Sequence, residues 1–143
     1  MQCIEAKQRL IDGKSTDPRL FSRVEADFIA TTDIGKRVWK DEEPYDAVTC
    51  MFALHYFFGS ESAAKATLEF ASANLRDGGH FFGALPDGKR VLETLGPDLL
   101  FKMKGLKLKA EWAGSPKPFG SAYSCAIADT VTEVRQCFWD TVI

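Results

Sequence analysis

The chain lacks a Cys-x-x-Cys pair, a long apolar run and any excess of one charge, and each lack removes a class of protein. The four cysteines, Cys3, Cys50, Cys125 and Cys137, stand far apart, and their spacings fit no zinc-ligand pattern. Without a disulfide framework, a reducing, intracellular compartment is the expectation. No apolar stretch approaches the roughly 18 residues of a membrane helix. Met1-Gln2-Cys3-Ile4-Glu5 lacks the charged-then-apolar order of a signal peptide. The net charge of −2 gives no global pull toward nucleic acid or an acidic membrane, so contact with nucleic acid requires a local basic patch. Histidine occurs only as His55 and His80. No Ser/His/Asp or metal-ligand cluster presents itself, which argues against hydrolases and metalloenzymes.

What remains is an ordinary globular composition. The 143 residues favour one domain, with 45% hydrophobic and 27% charged residues. A chain near this size buries roughly 68–70% of its unfolded surface. Eleven phenylalanines make it rich in aromatics.

Periodicity places the elements. Residues 2–12 carry a partly apolar stripe, with Gly13 as a stop. Phe28-Ile29-Ala30-Thr31 reads as a short strand, followed by polar Thr32 and Asp33. Pro44 introduces a buried strand over Tyr45–Ala53, which runs straight into Leu54-His55-Tyr56-Phe57-Phe58. Ser60 or Ser62 caps a helix whose face is Ala64, Leu68, Ala71 and Leu75, and Gly78-Gly79 ends it. A strand follows over His80–Leu85, then a short helix over Lys89–Leu95 with Asp87 as its cap. Leu106, Leu108, Ala110 and Trp112 alternate with charged residues as an edge strand would, and Phe119–Ala128 is the last clear strand. Alternating strands and helices imply βαβ units and a mostly parallel sheet. A right-handed crossover puts the carboxyl ends of the Tyr45 and His80 strands on one rim, so residues 51–56 and 86–88 share a crevice. Ligands of open α/β sheets bind at that rim.

Three segments carry a resemblance. Cys50-Met51-Phe52-Ala53-Leu54-His55-Tyr56-Phe57-Phe58, Gly78-Gly79-His80-Phe81-Phe82-Gly83-Ala84-Leu85-Pro86-Asp87 and Phe119-Gly120-Ser121-Ala122-Tyr123 resemble messenger-RNA cap guanine-N7 methyltransferases in order and spacing, over roughly residues 28–128. The Gly-Gly turn is shared by many S-adenosylmethionine (SAM) methyltransferases, and the His-Tyr pair is the more specific element. The resemblance implies an α/β fold, a Rossmann-like SAM-methyltransferase sheet with helices on both faces. It implies transfer of methyl from SAM to N7 of the cap guanosine, in the nucleus. Capped RNA is the implied partner, with other capping-enzyme subunits, and neither membrane nor metal is involved.

The departures are as specific. The family's first two strands and glycine-rich loop have no counterpart here, and no Gly-x-Gly occurs before residue 78. A family glutamine is Met51, residues 129–143 show no assignable match, and Glu133 aligns with a late family glutamate only without support from its neighbours. The expectation is a single incomplete methyltransferase domain over 1–143, a truncated product with weak or no activity alone and an exposed apolar edge where a neighbouring strand is missing. The alternatives are a non-catalytic cap- or partner-binding module and a small-molecule SAM methyltransferase.

By resemblance, Phe52, His55, Tyr56 and Pro86 contact the cap guanine, while Asp33 and Met51 approach SAM. Other readings stand beside these: a turn aspartate for Asp33 (or Thr32 in its place), core packing for Met51 and Phe52, a satisfied histidine for His55, a turn proline for Pro86. His80, at the amino end of its strand, reads as structural. Lys102, Lys104, Lys107 and Lys109 read either as RNA-facing cations or as edge protection. No residue is assigned as a general base, because guanine N7 carries a lone pair and no proton. Alignment of N7, methyl and sulfur supplies the catalysis.

Overall fold

The computed structural model describes residues 2–129 and 131–137. The chain packs as two units, residues 1–32 and 33–143. In the first unit, α1 (Gln2–Thr16) and α2 (Pro18–Phe21) form a small helical pair. Gly13 does not stop α1. It lies inside the helix, where an ideal Cβ would sit 3.1 Å from the Phe21 ring, so the missing side chain makes room for an aromatic. Asp17 caps α2 by accepting from Leu20 N at 3.3 Å, with Pro18 at the first helical position. Phe28–Thr31 is irregular chain and not a strand. Aromatic and β-branched residues favour strands only where a pleated, half-buried surface receives them, and Ile29 is 78% exposed.

In the second unit, β1 (Tyr45–Met51), a 3-10 helix (Leu54–Gly59), α3 (Glu61–Ala73) and β2 (Leu75–Ala84) make one crossover unit. β1 and β2 pair in parallel, from Tyr45 opposite Leu75 to Met51 opposite Ala84. Ser60 caps α3 by accepting from Ala63 N at 3.2 Å. The buried face of α3 is Ala64, Thr67 and Ala71, while Leu68 is exposed. α3 ends at Asn74, so Leu75 already belongs to β2 and Gly78-Gly79 lies inside the strand. The glycines occupy an irregularity of register between Tyr45 and Ala47, with Gly78 at φ 76°. The strand thus turns where a helix stop is expected, because the bulge needs the left-handed residue. His80 is an exposed mid-strand residue opposite Ala47. Opposite Cys50, a Cβ on Gly83 would run into the Cys50 carbonyl, so only glycine lets the two backbones approach this closely.

The expected mostly parallel sheet is corrected to a two-stranded parallel sheet and a four-stranded antiparallel one. The antiparallel sheet runs β3 (Leu100–Met103), β4 (Leu106–Ala110), β5 (Ala122–Ile127), β6 (Val131–Cys137). β4 is therefore an interior strand and β3 the edge. α4 (Gly88–Leu95) precedes this sheet, capped by Asp87, whose carboxylate accepts from Arg90 N at 3.0 Å. Val91 and Leu95 of α4 meet Leu108, Tyr123 and Cys125 in the principal core, with Phe101, Leu106, Ala110 and Trp112 packed around them. The buried reading of β1 is also corrected. Tyr45, Asp46 and Ala47 are exposed, only Val48 and Cys50 are half-buried, and Met51, Phe81 and Phe82 remain open to solvent. β2 is its sole partner among the described strands.

Candidate functional site

The parallel register brings two strand ends to one rim. Met51 lies opposite Ala84, and Phe52 N donates to Ala84 O at 2.7 Å. The chain leaving β1 therefore runs beside Leu85 and Pro86. Met51 is 55% exposed and Phe52 68% exposed. Phe52 adopts φ 51°, a left-handed conformation that is strained for an aromatic residue. It swings the chain out of the strand and into the 3-10 helix, whose first turn closes through Tyr56 N to Ala53 O at 3.1 Å.

His55 is buried, with 3% of its surface exposed, and neither ring nitrogen has a hydrogen-bond partner in the protein. Burial pushes its pKa below the usual histidine value, so the ring is neutral at physiological pH. Tyr56 is half-exposed, and its ring lies tilted at 4.2 Å from His55. Buried polar nitrogens without partners cost free energy, and both His55 nitrogens are closed to solvent next to the half-exposed Tyr56.

The 3-10 helix is fixed to the rest of the unit. Phe58 is buried and stacks on Phe119 at 5.9 Å with the rings nearly parallel, and Gly120 N donates to Phe58 O at 3.0 Å. Phe119 thus packs from a loop and not from a strand. Tyr123, buried on β5, has its hydroxyl pKa raised, first by burial and then by Cys125 and Tyr56, so its phenol stays neutral. Asp33 opens the turn that continues to Arg37, and its carboxylate meets the Arg37 guanidinium at 2.6 Å. That turn abuts the 3-10 helix: an ideal Cβ on Gly35 would fall 2.6 Å from the Phe57 ring and 3.2 Å from Thr67 Oγ1. The rim thus sets Met51 and Phe52 beside the Ala84 end of β2, two residues before Pro86, while the ring of His55 lies against that of Tyr56. Asp33 stands on its flank with its charge already engaged.

Sequence reasoning missed the Phe58–Phe119 clamp, legible only as two phenylalanines among eleven. It also missed a pocket of about 380 Å³ lined by Trp112, Ser115, Lys117, Phe119 and Ser121. Among the described residues no group of His, Cys, Asp or Glu is placed to hold a metal ion, and no helix is long and apolar enough to cross a membrane.

Residues 3–136 match the model of the mRNA (guanine-N(7))-methyltransferase domain. The chain belongs to this cap methyltransferase family. It is similar to mRNA cap guanine-N(7) methyltransferase 1 of Oryza sativa subsp. japonica, 34% identical over 99 residues, which are 64% of this chain and 27% of the relative. It is 30% identical over 103 residues to mRNA cap guanine-N(7) methyltransferase 1 of Arabidopsis thaliana, covering 66% of this chain and 28% of the relative. The mRNA cap guanine-N(7) methyltransferase of Caenorhabditis elegans is 43% identical over 56 residues, 39% of this chain and 15% of the relative. The chain thus spans about a quarter or less of the cap methyltransferases it matches.

Proposed function

We propose that this chain forms the guanine side of a cap N7-methyltransferase site, within a Rossmann-like sheet to which β1 and β2 belong. The observation that carries the reading is His55: buried, neutral and without a partner on either nitrogen, at the carboxyl end of a parallel strand pair. Guanine presents donors at N1 and the exocyclic amine and an acceptor at O6, and a neutral imidazole offers one donor and one acceptor to such edges. Tyr56, Phe52 and Pro86 supply flat apolar surface for the base, and Phe52 is displayed there by its own strained backbone.

Methylation at N7 makes the guanine ring cationic and moves no proton. A protonated histidine beside the ring would oppose that charge, and the lowered pKa of His55 removes it. The aromatic faces of Phe52 and Tyr56 attract a developing cation by roughly 0.5–2 kcal/mol each. SAM, when bound, supplies an electrophilic methyl on a sulfonium. On the side that would approach it, Met51 and Phe52 offer exposed apolar and aromatic surface beside the rim. Asp33 is the candidate for its polar nucleoside side, in exchange for its Arg37 contact. Capped RNA, other capping-enzyme subunits and a nuclear location belong to the same proposal.

Titration of the chain with the cap dinucleotide GpppG against ApppA is the test. Preference for guanine by tenfold or more is expected, and equal affinity would overturn the reading. Guanine binding without SAM binding would identify a non-catalytic cap-binding module.

A further inference from the structure

We infer that the outer face of the β3–β4 hairpin is a docking surface for the phosphate backbone of the transcript that follows the cap. The inference rests on the cap reading for the identity of its occupant, and on the hairpin's own register for the surface. Between Leu100 and Ala110 there are four lysines and no carboxylate, in a chain whose net charge is −2. The antiparallel register pairs Leu100 with Lys109 and Lys102 with Lys107. Directly opposed residues share a face, so Lys102, Lys107 and Lys109 all project from one side. Phe101, Leu106 and Leu108 project from the other, into the core. Lys104 occupies the two-residue turn with Gly105, which has φ 85°. Lys102, Lys104 and Lys109 are exposed and Lys107 is half-buried.

Edge protection does not account for Lys107 and Lys109. β4 is paired on both sides, with β3 and with β5, so Lys107 and Lys109 guard no open edge. Lys102 and Lys107 stand directly opposite one another, so their charges add on one face. The platform is fixed, because Ala128 N donates to Gly105 O at 2.9 Å and holds the turn down on the end of β5. Lysines two apart on a strand lie roughly 6.6–6.8 Å from each other, a spacing on the scale of successive phosphates in an extended single strand.

The test uses the full chain, wild type and with Lys102→Gln, Lys104→Gln and Lys109→Gln combined. The probes are GpppG, a GpppG-capped 20-mer RNA and the same 20-mer uncapped. Three lost phosphate contacts should flatten the log–log salt slope for either 20-mer by about 2 and weaken binding roughly 50-fold at 0.15 M salt. Affinity for GpppG should not change. Equal 20-mer affinity for variant and wild type overturns the inference, whatever GpppG does. Loss of 20-mer binding in the variant, with no binding of GpppG by either protein, refutes the cap reading and leaves the hairpin surface standing. Should the variant melt below wild type, the wild-type slope decides: a slope near zero overturns the inference, and one of about −2 or steeper supports it. Binding to phosphatidylserine vesicles with none to RNA also overturns it.

Discussion

Replacing Asn74 with alanine should cost about 3 kcal/mol of stability. Asn74 is fully buried where α3 ends. Its amide nitrogen donates to Trp39 O and to Phe70 O, both at 2.9 Å, and its amide oxygen accepts from Asp41 N at 2.8 Å. One side chain thus ties residues 39–41 to the last turn of α3, beside the backbone bond from Tyr45 N to Asn74 O that starts β1. Three hydrogen bonds at roughly 0.5–1.5 kcal/mol net each give about 1.5–4.5 kcal/mol. The upper half of that range applies, because alanine leaves the groups it abandons part-buried and unsatisfied. In urea, with a slope of about 1–3 kcal/mol/M, the midpoint should fall by roughly 1–3 M. Asn74→Asp sharpens the test. A carboxylate keeps the bond to Asp41 N but faces two carbonyl oxygens it cannot donate to. Burial would raise its folded pKa, so the folded variant would bind more protons than the unfolded chain, and its deficit against wild type should shrink as pH falls from 7 toward 4.5. A loss under about 1 kcal/mol for Asn74→Ala, or a pH-independent deficit for Asn74→Asp, would refute the argument.

Two further outcomes concern the rim. His55→Phe removes two unpartnered nitrogens from a buried site, so stability should hold or rise while GpppG affinity falls roughly tenfold or more, about 1.4 kcal/mol per decade. Because His55 has a lowered folded pKa, the folded wild type binds fewer protons than the unfolded chain below the ordinary histidine value of 6.5. Its contribution is complete above that pH and is lost as pH falls through the folded value. Denaturation curves between pH 7 and 5 should therefore be flatter for His55→Phe. Phe52→Gly should stabilise by about 1 kcal/mol, the release of roughly 1–3 kcal/mol of backbone strain less the entropic cost of glycine, and should weaken GpppG binding in the same titration. Destabilisation would mean that the exposed Phe52 ring packs in a way its surroundings do not show.

What could be read from the sequence was what local chemistry determines. Ser60 and Asp87 marked helix starts because a side-chain oxygen acts within one turn. The β1–α3–β2 order and the shared rim followed from chain order and handedness. Partnership was not legible. Phe28–Thr31 has strand-like residues and is irregular, whereas β3 and β6 are strands with unremarkable sequences. Gly78-Gly79 looks like a helix stop and serves a bulge, since both uses need the same left-handed freedom. At the site, the His-Tyr pair stood out by its order, but the burial of His55 and the Phe58–Phe119 clamp are tertiary facts that no spacing encodes.

The order of strands in the antiparallel sheet is also their order in the chain, and every pairing there joins sequence neighbours. Such contacts close short loops and form fast, whereas the β1–β2 pair must first close over the whole of α3. The rim exists only once that pair has formed, and the 3-10 helix is clamped only once Phe119 and Gly120 are in place. During folding the lysine hairpin would then be available to a polyanion before the guanine side of the site has taken shape.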